Sequence, residues 1–139
     1  MVKNVDEKLI KKAMQAAELA YSPYSRYRVG AALLAKDGRI FTGCNIENLS
    51  YGATNCAERT AFFKAISEGC KEFETIAIVG CGADTFSDYA FPCGICRQVM
   101  QEFCQRDFKI IVAKNEEDYK IYTLNELLPC GFGGDKSLL

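Results

Sequence analysis

Cys56 and the pair Cys93 and Cys96 stand at the starts of two predicted helices, each directly after a loop. Their joint use requires a fold that brings those two helix starts together. The flanking sequence supplies the parts of one. Val5, Leu9, Ile10, Ala13, Met14, Ala17 and Tyr21 fall at helical spacing over residues 5–21, with Asn4 placed as the N-cap, Glu7 placed for a capping box, and Ser22 and Pro23 as the stop. Residues 27–35 and 39–46 are apolar, β-leaning runs on either side of Asp37-Gly38, the turn of an antiparallel hairpin. Over 55–67, Ala57, Ala61, Phe62, Ala65 and Ile66 repeat with helical period until Gly69. Residues 73–80 read as a short strand, and 81–91, with Gly82, Asp84, Ser87 and Asp88, as a loop. Pro92 opens a third helix carrying Cys93, Cys96, Val99, Met100 and Phe103. Strands follow at 108–113 and, more weakly, 120–124, before a short last helix within 123–128. This order predicts an α/β protein: a mixed β-sheet covered by helices on both faces, in three layers.

What the cysteines do is narrowed by what the chain lacks. It has eight cysteines and no histidine, so the commonest general base and the commonest zinc ligand are missing together. A metal site here leans on thiolates, and a proton shuttle on carboxylates. The N-terminus alternates lysines with acids instead of forming a signal peptide, and no apolar run nears the roughly 18 residues that cross a membrane. The expectation is a cytoplasmic protein with no membrane partner, in whose reducing surroundings a disulfide framework is disfavoured. A net charge of −1 offers no basic face to a nucleic acid. With 49% apolar and 25% charged residues and no repeat or linker, residues 1–139 read as one domain.

Three thiolates suffice for a catalytic zinc, which takes three protein ligands in a tetrahedron and leaves the fourth position open. Cys56, Cys93 and Cys96 are those three. Helix starts suit them, because unsatisfied N–H groups and the positive end of the dipole favour anionic sulfur. Glu58 lies two residues beyond Cys56, within reach of such a site without being needed as a ligand, which makes it a general acid/base candidate. A glutamate in a first helical turn also complements the dipole on a solvated face; the neighbouring cysteines favour the catalytic reading. A Cys-x-x-Cys pair serves redox chemistry or a structural zinc knuckle elsewhere. Redox use leaves Cys56-Ala57-Glu58 unexplained, and a closed site needs a fourth ligand at a metal-type spacing that Cys44, Cys70, Cys81, Cys104 and Cys130 do not offer. Those five read as small buried hydrophobes.

Cys56-Ala57-Glu58 followed by Pro92-Cys93-Gly94-Ile95-Cys96 is similar to the zinc deaminase signature in its three-cysteine form. Almost end to end, the chain resembles the small homotetrameric cytidine deaminases. The likeness runs through Tyr24-Ser25, Val29-Gly30-Ala31-Ala32-Leu33, Gly43-Cys44-Asn45-Ile46-Glu47-Asn48, Cys56-Ala57-Glu58-Arg59-Thr60-Ala61, Cys96-Arg97-Gln98 and Glu126-Leu127-Leu128-Pro129. The resemblance implies hydrolytic deamination of free cytidine and deoxycytidine to uridine and deoxyuridine, in pyrimidine salvage, by a zinc-activated water with Glu58 moving the protons. It implies one Zn²⁺ per subunit and a homotetramer with active sites at subunit interfaces. It assigns Asn45 and Glu47 to the ribose hydroxyls, the Ala57 amide to the base carbonyl, Tyr27 to the pocket wall, and Tyr51 and Phe132 to neighbouring subunits' pockets. Asn45 and Glu47 also alternate at a strand end, where amide and carboxylate suit a diol.

Three thiolates on Zn²⁺ leave a net charge of −1, which calls for an offset. Besides the helix ends, the resemblance makes Arg59 a hydrogen-bond donor to ligand sulfur. One departure is Tyr27, where the family usually has phenylalanine. Two other functions compete: deamination of a different cytosine nucleoside, as in blasticidin deaminases, against which Asn45-Ile46-Glu47 weighs, and a non-catalytic zinc or nucleoside-binding module, which has no use for Glu58.

Overall fold

The computed structural model describes residues 4–83 and 85–134. Its elements are α1 (Val5–Ala17), β1 (Tyr27–Ala35), β2 (Ile40–Cys44), a 3-10 turn (Tyr51–Ala53), α2 (Ala57–Ser67), β3 (Phe73–Gly82), β4 (Thr85–Asp88), α3 (Gly94–Phe103), β5 (Lys109–Ala113), β6 (Tyr119–Thr123) and α4 (Leu124–Leu127). The sheet runs β2-β1-β3-β5-β6, with β4 added on β3. The β3–β5 pair is parallel and the others are antiparallel, so the sheet is mixed, as expected. No helix among the described residues is long and apolar enough to cross a membrane.

The layering follows from the alternation of side chains along the central strands. Ala31, Leu33, Ile76, Ile78, Ile110 and Val112 face one way and form a core with Ala57, Ala61, Phe62 and Ala65 of α2, Met100 of α3 and Leu124 of α4. Ala32, Ala77, Val79, Ile111 and Ala113 face the other way and meet Leu9, Ile10, Ala13 and Ala17 of α1. Central strands buried on both faces are therefore apolar at nearly every position. The β2 contact matters most for the site. A Cβ on Gly43 would fall 2.4 Å from the Ala57 carbonyl and 2.6 Å from the Ala61 nitrogen, so only glycine lets the first turns of α2 lie directly on the strand.

Element boundaries depart from the sequence expectation where long-range pairing competes with local pattern. α1 stops at Ala17 and not at Tyr21. The Tyr21 N–H donates to the Asn45 carbonyl at 3.0 Å, and the Tyr21 carbonyl accepts from Glu47 N–H at 2.8 Å, so Tyr21 is drawn into extended pairing beside Ile46. Residues 85–88, expected in a loop, form β4. β5 pairs only with Thr75 to Val79 of β3, which leaves the last residues of β3 with a free edge that β4 occupies through Gly80 and Gly82. Asp84, expected in the same loop, lies outside the described residues, as do 135–139 of the C-terminal tail. Asn55 pairs with Ile46 and Pro92 precedes the helix proper, so α2 and α3 begin one residue after Cys56 and Cys93.

Candidate metal centre and its cleft

Both cysteine motifs end an extended segment at a helix N-cap. Cys56 (φ −75°, ψ 156°) caps α2 and Cys93 (φ −69°, ψ 169°) caps α3, neither spending its side chain on a capping bond. Cys96 is in the first turn of α3. The Sγ atoms of Cys56 and Cys93 are 3.7 Å apart and those of Cys93 and Cys96 3.5 Å, with all three within 4.8 Å of one another. No other such group of potential metal ligands forms among the described residues. Two sulfurs about 2.3 Å from a tetrahedral zinc lie roughly 3.8 Å apart, so the trio has the dimensions that ion requires. Arg59, one turn into α2, donates from Nη2 to Cys56 Sγ at 3.2 Å. Cys96 first, and then Arg59 and Cys93, hold the Cys56 thiol below its ordinary range against the cost of burial. Cys96 moves up correspondingly, through its hydrogen bond with Cys56 and its burial.

Glu58 sits beside this trio, 4% exposed. Burial raises its carboxyl to about 7, with charge on Cys56 adding to the rise while Cys96 and Arg59 oppose it. It lines a cleft of about 230 Å³ with Cys56, Cys93, Ala57, Asn45, Tyr27, Val29, Thr54, Asn55, Ala90 and Phe91. The Ala57 N–H belongs to the first turn of α2, whose donors have no partner within the helix. Thr54 also lines a second cleft, of about 280 Å³, together with Tyr24, Ser25, Glu47, Asn48 and Tyr51.

The chain's residues 3–113 match the family model described as the cytidine and deoxycytidylate deaminase zinc-binding region. The chain belongs to that family. It is 56% identical over 124 residues to the cytidine deaminase of Halalkalibacterium halodurans, covering 89% of this chain and 91% of that one. It is 51% identical over 126 residues to the cytidine deaminase of Sporosarcina psychrophila, at 91% and 90% coverage. The crystal structure of a cytidine deaminase from Burkholderia pseudomallei superposes with a TM-score of 0.82 and 43% identity over 95% of this chain and all of that one. Zinc is thus the metal of this family's site, and the three sulfurs are a donor set that fits it.

The site residues expected from sequence divide between the two clefts. Cys56, Ala57, Glu58, Asn45 and Tyr27 share the first, and Glu47 and Tyr51 the second. Asn45 is already engaged, its Oδ1 accepting from Val29 N–H and its Nδ2 donating to the Tyr27 carbonyl, both at 2.8 Å. That side chain ties the end of β1 to the site and keeps a second N–H and a second lone pair for a ligand. Glu47 accepts from the Tyr24 and Ser25 backbone amides at 2.9 and 3.1 Å and from the Ser25 hydroxyl, which leads in holding its carboxyl below the usual range. Phe132 is 78% exposed and lines neither cleft of its own chain.

Tyr27 has a structural explanation. A Cβ on Gly80 would fall 2.1 Å from the Tyr27 hydroxyl, so this glycine, diagonal to Tyr27 on β3, makes room for the oxygen that phenylalanine lacks. Burial, then the charge of Asp88, raises its pKa and keeps the ring neutral. Phe91 and Thr54 were not singled out by sequence reasoning; the signal for Phe91 was its place before Pro92, which favours an extended backbone. Arg97 was named only within a motif. It donates from Nε to the Pro92 carbonyl at 2.7 Å and from Nη1 to the Leu127 carbonyl at 2.6 Å, fastening the loop that carries Cys93 to α4.

Proposed function

We propose that the chain hydrolyses free cytidine and deoxycytidine to uridine and deoxyuridine with release of ammonia, a reaction of pyrimidine salvage, and that Glu58 moves the protons. The observation that carries this reading is a buried carboxyl, Glu58, beside three converging sulfurs inside one cleft. A carboxyl held out of water beside the reacting groups can both accept and return a proton along the reaction path. Cys56, Cys93 and Cys96 hold the zinc, which when bound supplies the Lewis acidity that makes water a nucleophile at neutral pH. Glu58 accepts one proton of the attacking water and delivers it to N3 of the base, then takes the remaining proton of the new C4 hydroxyl and passes it to the amino group, which leaves as ammonia while the C4 carbonyl forms. The Ala57 N–H donates to the base carbonyl at C2, and Tyr27 forms a wall of the base pocket. Asn45, through its unspent donor and acceptor, and Glu47, as a carboxylate with lone pairs to spare, take the sugar hydroxyls.

Substrate choice tests this reading. Glu47 puts a negative charge at the sugar end, and Arg26 and Arg28 line a different cleft, with Ser22 and Ala83. Cytidine and deoxycytidine are therefore expected to be converted and cytidine 5′-monophosphate to be left essentially unchanged in an ultraviolet assay of the zinc-loaded protein. Comparable kcat/KM on the monophosphate, or conversion of blasticidin S without cytidine, contradicts the reading.

The reading includes a homotetramer in which Tyr51 and Phe132 reach neighbouring pockets. Leu49, Tyr51 and Phe132 are 77, 77 and 78% exposed, apolar groups that an interface between copies would cover. Light scattering at assay concentration is expected to give four chains; an active species at 15.4 kDa contradicts it. Arg59 offsets the excess negative charge of the sulfur site through its contact with Cys56. Arg59→Gln is expected to weaken zinc retention or turnover by about 10- to 100-fold with the fold intact. Unchanged zinc affinity and rate would make Arg59 a surface residue only.

A further inference from the structure

Two glutamine side chains of α3 hold the backbone that follows α4. Gln98 Nε2 donates to the Phe132 carbonyl at 3.0 Å, and Gln101 Nε2 donates to the Gly133 carbonyl at 3.1 Å. The two glutamines are three residues apart, so they project one turn apart from the same face of the helix, matched to successive carbonyls of the strap they bind. Gln101 is 7% exposed, and its Oε1 has no hydrogen-bond partner among the described residues. The amide is thus held there by what its nitrogen does.

The strap is shaped for this seat. Cys130, Gly133 and Gly134 have φ of 59°, 91° and 79°, and a Cβ on Gly134 would fall 2.2 Å from the Gln101 carbonyl oxygen. The backbone of residue 134 lies closer to α3 than any side chain permits. Between these anchors the Phe132 ring is left 78% exposed although its own carbonyl is pinned. The helix that seats the strap is also the one whose start carries Cys93 and Cys96. The backbone that carries the ring is therefore fixed on α3.

We propose that Gln98 and Gln101 are positioning residues that seat the 131–134 strap on α3 and present the Phe132 ring, already ordered, to the pocket of an adjoining copy. This rests on the reading that Phe132 works in a neighbouring pocket. An aromatic on a free glycine-rich tail loses conformational entropy each time it binds, whereas a seated one has lost it on folding.

The test is steady-state kinetics on cytidine with the full-length zinc-loaded protein, using the double variant Gln98→Ala with Gln101→Met. The methionine fills the volume without leaving a buried unpartnered oxygen. KM is expected to rise about fivefold or more, with kcat within about twofold and no loss of zinc or melting temperature. Gly134→Ala, which disturbs the seat from the strap side, is expected to act in the same way. In a Phe132→Ala background, the two glutamine substitutions are expected to add nothing. If Phe132→Ala raises KM while the double variant and Gly134→Ala do not, the glutamines do not position the ring and the Phe132 reading stands. If Phe132→Ala itself leaves KM unchanged, that reading falls and this proposal with it. Multiplying effects in the triple variant overturn the proposal as well.

Discussion

Glu58→Gln is expected to lower turnover of cytidine by about 10⁴-fold or more while zinc stays at one per chain. The amide keeps the size and the hydrogen-bonding reach of the carboxyl but has no site for the proton that must leave water. A positioned acid or base contributes roughly 10²- to 10⁴-fold, and Glu58 is assigned every proton transfer of the cycle, which places the loss at or above the upper figure. A factor of 10⁴ is about 5.4 kcal/mol of barrier. The loss is expected to be confined to chemistry, because the three converging sulfurs of Cys56, Cys93 and Cys96 offer a metal its protein ligands without the carboxyl. The fold is not endangered either, since a neutral amide avoids the desolvation that raises the buried carboxyl to about 7. Cytidine binding survives with Asn45, Glu47 and the pocket walls in place. Retention of more than a tenth of the wild-type rate with zinc bound would assign the proton transfers to another group.

Cys93→Ala is expected to lose metal and activity together, leaving no measurable conversion. Two thiolates and water hold zinc far less firmly than three, and the ion is what makes water reactive at neutral pH. The substitution is mild structurally, because Cys93 is exposed and makes no side-chain capping bond at the start of α3. Circular dichroism is expected to remain that of the wild type while metal analysis falls toward zero. Cys104→Ala is the contrast. Burial keeps that thiol above its ordinary range, as a small hydrophobe of the core that α2 and α3 share, so this variant keeps its zinc. The glutamate and cysteine variants together separate catalyst from metal scaffold: one keeps zinc and loses rate, the other loses both.

The parts of this protein legible in its sequence are those set by local chemistry. β1 begins at Tyr27 and ends at Ala35, as its apolar run and the Asp37-Gly38 turn require. Asn4 caps α1 as its place before the periodic run requires, its side chain accepting from Glu7 N–H at 2.8 Å. The convergence of Cys56, Cys93 and Cys96 followed from metal-type spacing at two helix starts. What was not legible depends on partners distant in the chain. Tyr21 carries helical spacing yet pairs beside Ile46, and Thr85 to Asp88 carry loop composition yet take the edge of β3 that β5 leaves open. The two bonds by which Asn45 holds β1, the room Gly80 gives the Tyr27 hydroxyl, and the seating of Gly133 and Gly134 on α3 likewise exist only once the sheet and helices are assembled. The meeting of the three cysteines beside Glu58 was therefore readable, and the supports that hold those residues in place were not.

The most direct test of zinc-dependent deamination is a metal titration of the whole chain. Zinc is stripped with a chelator under reducing conditions and returned in steps while the absorbance of cytidine and the release of ammonia are followed. The rate is expected to rise linearly and level off at one zinc per chain, with one ammonia formed for each uridine. A metal-free protein with the full rate, or a zinc-saturated protein that leaves cytidine intact, would contradict the account.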